Sequence, residues 1–180
     1  MKRKAFTLIE MLIVLTVVAI LVPTTFSIVF VILRQQVRIY RVVETRRQGD
    51  YIQSFIKDKL IRSTVMTNLN PYNTVRCQTA GPSYTDADGD NTSFLDTNAE
   101  RYRIYLDGTD LKYNNETDIL TTILNSSNVK VENFVISCVR RGDYSSPLVG
   151  ISYDVEFIDN TPTIEEGTVR LHYQTKIKLR

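Results

Sequence analysis

The sequence predicts an α+β protein: one long N-terminal helix followed by a mostly antiparallel β-sheet domain. Three observations lead there. Residues 11–33 contain no charged side chain, and as a helix such a run is roughly 34 Å long, enough to cross a bilayer core of about 30 Å. The charge is divided: residues 1–62 hold 11 Lys/Arg against 4 Asp/Glu, and residues 63–180 hold 11 against 16. The net charge of +2 therefore averages two parts that face different surroundings. Finally, the C-terminal part alternates apolar and polar residues at the strand period.

A chain of 180 residues fits one modest domain, or a small domain plus an anchor. Hydrophobic and charged fractions of 43% and 23% are ordinary for globular proteins and argue against wholesale disorder or a collagen-like fibre. Two cysteines and one histidine do not make a disulfide-dense scaffold, a four-thiolate zinc site or histidine-rich metal chemistry. No nucleophile elbow, phosphate loop or dinucleotide fingerprint occurs. The acidic groups Glu165-Glu166 and Asp86, Asp88 and Asp90 imitate a hydrolase dyad only loosely. The expectation is that the chain is not an enzyme.

Glu10 is the only charged residue in the stretch 6–33. A secretory signal peptide has a shorter apolar region followed by a small-residue cleavage site; here the small residue, Ala5, comes before the run. A buried helix of a soluble core is the competing reading, but the rest of the chain is too small to enclose it. Flanking charge does not orient the span: Lys2, Arg3 and Lys4 precede it, while Arg34, Arg38, Arg41, Arg46 and Arg47 follow. An ionised carboxylate near a membrane interior needs a partner or a proton. No basic residue lies three or four positions from Glu10, which leaves a neighbouring subunit or an amine made by cutting the chain.

The stretch KRKAFTLIEMLIVLTVVAIL resembles the N-terminal signature of type IV pilins and type II secretion pseudopilins: a short basic leader, a small residue, then Phe-Thr-Leu-Ile-Glu opening an apolar helix. The resemblance is close over about 30 residues and looser to about residue 62. It implies a leader at 1–5, a transmembrane half-helix at 6–33, an amphipathic half-helix at 34–62 and an exported β-rich domain at 63–180. It implies that prepilin peptidase cuts between Ala5 and Phe6 and methylates the Phe6 amine. Glu10 would then pair with that amine on a neighbouring pilin or pseudopilin subunit in the filament. Lys2 to Lys4 would stay cytoplasmic, and the subunit would leave the cytoplasmic membrane for a pilus or pseudopilus at the cell surface. The size and strand-rich C-terminus look more like a minor pseudopilin of the J or W type. The family usually has glycine where this chain has Ala5, and often proline where it has Ser27; here the proline is Pro23. Proline removes an intrahelical hydrogen bond, which Thr24 and Thr25 are placed to compensate. Pro23 reads equally as a static kink or as a weak point that loosens on assembly. The alternative function is a membrane-anchored surface domain that never polymerises and binds a ligand, DNA or another surface.

Beyond residue 33 the helix should continue, with Val37, Tyr40, Val43, Ile52, Phe55, Ile56 and Leu60 as an apolar stripe under a sheet and Gly49 as a flaw. The arginines between 34 and 47 read first as a solvated face or subunit contacts, and second as a site for nucleic acid or anionic lipid. Strands are predicted at 101–106, 129–139, 151–157 and 169–180, a weaker one at 75–79, and either helix or strand at 119–124. Asp107-Gly108, Gly142, Pro162 and Gly167 punctuate them.

Two further groups carry chemistry. In DADGDNTSFLD, Asp86, Asp88 and Asp90 stand at alternate positions with Thr92 beyond, oxygen donors of the kind calcium takes. The loop departs from the EF-hand pattern at Asn91 and Thr97, and a solvated acidic turn explains it as well. Cys77 and Cys138 both lie in strand-like stretches, so in an oxidising exterior they form a disulfide; otherwise they are two buried thiols. His172 falls on the polar face of the last strand, as a surface residue.

Overall fold

The computed structural model describes residues 7–69, 74–81, 83–116, 120–158 and 169–179. The chain divides into two compact units, residues 1–40 and 41–180. One helix, α1 (Leu8–Ile61), contributes to both.

In the first unit every described residue of α1 is exposed. The most apolar window reaches a mean hydropathy of 2.6 with none of it buried, so this helix is long and apolar enough to cross a membrane. Its side chains find no protein to pack against within the unit. Pro23 lies inside the helix without interrupting it. The Thr24 hydroxyl donates to the carbonyls of Ile20 at 3.2 Å and Leu21 at 2.8 Å, and the Thr25 hydroxyl to those of Leu21 at 3.0 Å and Val22 at 2.8 Å. The threonines thus cover carbonyls next to the one that proline orphans, which belongs to Ala19, four residues back.

In the second unit the C-terminal part of α1 packs against two antiparallel sheets. Sheet A runs in the order β1 (Ser63–Asn68), β3 (Thr92–Asp96), β4 (Arg101–Asp107), β5 (Asp110–Asn115), β6 (Leu120–Ile123). Sheet B runs β2 (Tyr84–Ala87), β7 (Val129–Val139), β8 (Leu148–Phe157), β9 (Arg170–Lys178). The alternation that predicted β4, β7, β8 and β9 is the alternation of burial: Val129, Val131, Phe134, Ile136 and Cys138 of β7 are buried, and a bulge after Glu132 shifts the register between them. Of the helical stripe, Ile52, Ile56 and Leu60 are fully buried, and they join Phe94, Ile104, Leu111, Tyr153 and Val155 in one core. Phe55 packs edge-on against Tyr113 with centroids 5.2 Å apart.

Several expectations change. Residues 75–79 form no strand; Val75 alone makes a bridge, to Thr67. The ambiguous stretch is the edge strand β6, all of whose residues are exposed. Four strands without a long alternating run, β1, β2, β3 and β5, went unforeseen, because each is short and mostly polar. Val43 stays exposed, and burial along α1 begins at Glu44. Gly49 is not a flaw. It is buried, and a Cβ built on it would stand 2.2 Å from the Tyr173 ring. The absent side chain lets Tyr173 lie on the helix, stacked on Tyr153 at 5.4 Å and 8°. The Tyr153 hydroxyl donates to the Gly49 carbonyl at 3.1 Å, and that of Tyr173 to the Arg46 carbonyl at 3.2 Å. Pro162 and Gly167 lie outside the described residues.

Candidate functional site

The described chain begins at Thr7, so the cut-site residues Ala5 and Phe6 lie outside it. Thr7 and Glu10 are Ncap and N3 of α1 and form a capping box. The Thr7 N–H and hydroxyl each donate to Glu10 Oε2 at 3.1 Å, and the Glu10 N–H donates to Thr7 Oγ1 at 3.4 Å. Glu10 therefore has a partner within its own chain, and it is not a basic residue. A helix N-terminus offers unpaired N–H groups and partial positive charge, and either can hold a carboxylate. The Thr-x-x-Glu spacing was the legible signal. The Glu10 carboxylate is exposed in this arrangement.

In the acidic turn between β2 and β3 the candidate calcium ligands take different places. Asp86 points into the domain and is buried, because it sits at the inward position of β2. Its Oδ2 accepts the Asn91 N–H at 3.1 Å and the Thr92 hydroxyl at 2.5 Å. Asp88 and Asp90 are exposed. Of the four candidate ligands only Asp86 and Thr92 come together, through a hydrogen bond. Among the described residues no group of three or more His, Cys, Asp or Glu could hold a metal ion, and no cofactor is indicated. The turn has a structural task. The Asp88 N–H donates to the Phe134 carbonyl of sheet B, and its carbonyl accepts the Leu106 N–H of sheet A, both at 2.8 Å. Asp88 and Gly89 adopt φ of 62° and 71°, and a Cβ on Gly89 would come within 2.4 Å of the Ile104 carbonyl oxygen. One residue's main chain thus joins the two sheets.

Cys77 and Cys138 are bridged, with Cα atoms 6.2 Å apart. The bond ties the segment before β2 to β7, and Arg140 reinforces it. Arg140 donates to the carbonyls of Ser145 at 2.7 Å, Asp143 at 2.6 Å and Gln78.

On the outer face of sheet B, Lys130, Glu132, Glu156 and Arg170 close a ring of ion pairs between 2.6 and 3.0 Å. Beside it Asp154 accepts from Asn133 at 2.7 Å and lies 2.7 Å from His172 Nδ1. Burial works to raise both Asp154 and Glu156, but the hydrogen bonds from Asn133 and His172, and from Arg170 and Lys130, outweigh it and hold both carboxyls below their ordinary range. His172 is the exposed strand residue that the alternation predicts, here with a carboxylate partner. Along α1, Arg47 pairs with Glu44 at 2.9 Å and Arg46 with Asp50 at 3.9 Å. The Arg34 guanidinium lies 4.4 Å over the Phe30 ring. The Arg46–Asp50 and Arg34–Phe30 contacts are exposed, suit a solvated face and are each worth little, whereas Glu44 is buried.

Fold and site define a long helix whose apolar first part is capped by Thr7 and Glu10, and a disulfide-bridged β domain. Residues 1–22 match the family described as the prokaryotic N-terminal methylation motif. With the apolar helix, that motif is consistent with a type IV pilin or pseudopilin, and it points to a structural subunit rather than an enzyme. No curated protein and no solved structure matches the chain.

Proposed function

We propose that the protein is a structural subunit, of minor pilin or pseudopilin type, of a type IV pilus or type II secretion pseudopilus. Prepilin peptidase removes residues 1–5 and methylates Phe6. The subunit waits in the cytoplasmic membrane with its N-terminus inside, and is then drawn into the filament at the cell surface through its apolar helix. The match of residues 1–22 to the methylation motif carries this reading. Support comes from the apolar part of α1, whose side chains have no cover within their own unit and gain it in a bundle of like helices. In the bundle, Glu10 exchanges the Thr7 N–H for the charged Phe6 amine of a neighbour, a stronger charge-assisted contact.

Mass spectrometry of the mature chain tests the proposal. A chain beginning at methylated Phe6 is expected. A chain that keeps Met1 or Lys2 would refute it and favour a permanently anchored binding domain.

A further inference from the structure

Sheet A ends at β1, and the outward pairing of that strand is short. The Asn68 N–H donates to the Thr74 carbonyl at 3.0 Å, and the Arg76 N–H to the Met66 carbonyl at 2.8 Å. Before Met66 the edge borders a cleft of about 300 Å³ lined by Thr64, Val65, Arg140 and the fully exposed Tyr144. Val75 and Arg76 also line it.

Both arginines of this cleft are held in place by neutral groups. Arg76 Nε donates to the Asn68 side-chain carbonyl, and its guanidinium lies 4.3 Å from the Tyr84 ring centroid. Arg140 is held by three main-chain carbonyls. A guanidinium has five N–H donors. The terminal nitrogens of Arg76 are unengaged among the described residues, and each of those of Arg140 keeps a donor. Neither side chain has a carboxylate within ion-pair distance among the described residues, although residues 63–180 hold 16 Asp/Glu against 11 Lys/Arg. Two oriented cations with no carboxylate partner among the described residues, beside the edge of β1, form a receptor for a particular chemistry.

We propose that this cleft docks an acidic, extended polypeptide segment of a partner protein. The segment adds to the free edge of β1 by main-chain hydrogen bonds, and alternate side chains face the same wall. A carboxylate on one of them meets the planar fork of Arg76, which matches it bidentately. Val65 and Val75 take its apolar side chains. A cavity of this size admits a few residues rather than a folded domain.

The test uses the full chain in detergent micelles and three labelled hexapeptides with blocked ends: alternating Val-Asp, alternating Val-Lys, and Val-Asp with N-methylated main-chain amides. Fluorescence anisotropy should show the Val-Asp peptide binding at least tenfold more tightly than the other two, with affinity falling as salt is raised. Arg76→Gln should weaken it about tenfold or more while leaving the melting temperature in place. Equal binding of the lysine peptide, unchanged affinity with Arg76→Gln, or displacement by equimolar inorganic phosphate would overturn the proposal; the last would reveal a bare anion site. Should Arg76→Gln disturb folding, the salt series on the unaltered chain decides, since salt-independent binding is incompatible with the carboxylate contact.

Discussion

Gly49→Ala should destabilise the β domain, although an alanine in mid-helix ordinarily stabilises. The helix itself would gain about 0.8–1.0 kcal/mol from the substitution. Against this, the new methyl would stand 2.2 Å from two carbons of the Tyr173 ring and 2.5 Å from its hydroxyl oxygen. The ring cannot stay there. Moving it breaks the bond to the Arg46 carbonyl and the stack on Tyr153, costing about 1 kcal/mol for the hydrogen bond and about 0.5–1.5 kcal/mol for the aromatic pair. Residual overpacking adds to this, on the order of 1 kcal/mol. The net expectation is a loss of about 1–3 kcal/mol, or roughly 2–10 °C of melting temperature. Thermal unfolding of the full chain in detergent, followed by the β-sheet and tyrosine circular dichroism signals, measures it. In a Tyr173→Ala background the same substitution should turn neutral or stabilising, since the obstructing ring is gone. A rise in melting temperature for Gly49→Ala in the otherwise unaltered chain would refute the reasoning.

Replacing Cys77 and Cys138 by serine, or reducing the bridge, should cost about 2–4 kcal/mol, read as a lower denaturant midpoint. Asp86→Ala strands the Asn91 N–H and the Thr92 hydroxyl and should cost about 1–3 kcal/mol, with Asp86→Asn costing less. Because Asp154 and Glu156 are held below their ordinary values of 3.8 and 4.5, their contribution is complete above those values. It disappears as pH falls through and below them. Melting temperature should therefore drop steeply below about pH 4.5, and Arg170→Gln should flatten that drop; an unchanged acid limb would contradict the ion-pair ring. Glu10→Ala should leave membrane insertion intact and impair filament incorporation, scored by fractionating sheared filaments from membranes. Equal incorporation would remove Glu10 from assembly.

Features whose physics is local or periodic are legible in the amino-acid order alone. The uncharged run 11–33 requires an apolar solvent whatever it packs against. The period-two runs in β8 and β9 assign their own inward faces, whereas in β7 the bulge after Glu132 moves the inward face from odd to even positions. The lone acid with its flanking residues is a motif readable in one stretch of chain. What residues distant in sequence do to one another becomes visible in the folded chain. Gly49 reads as a weak helix residue until Tyr173, 124 positions later, is seen to occupy the space of its missing side chain. Asp86, Asp88 and Asp90 read alike, as cation ligands or as a solvated turn, until β2 turns the first inward and the second lends its main chain to both sheets. Burial and steric fit depend on distances between residues far apart in the chain, and no local pattern encodes those distances.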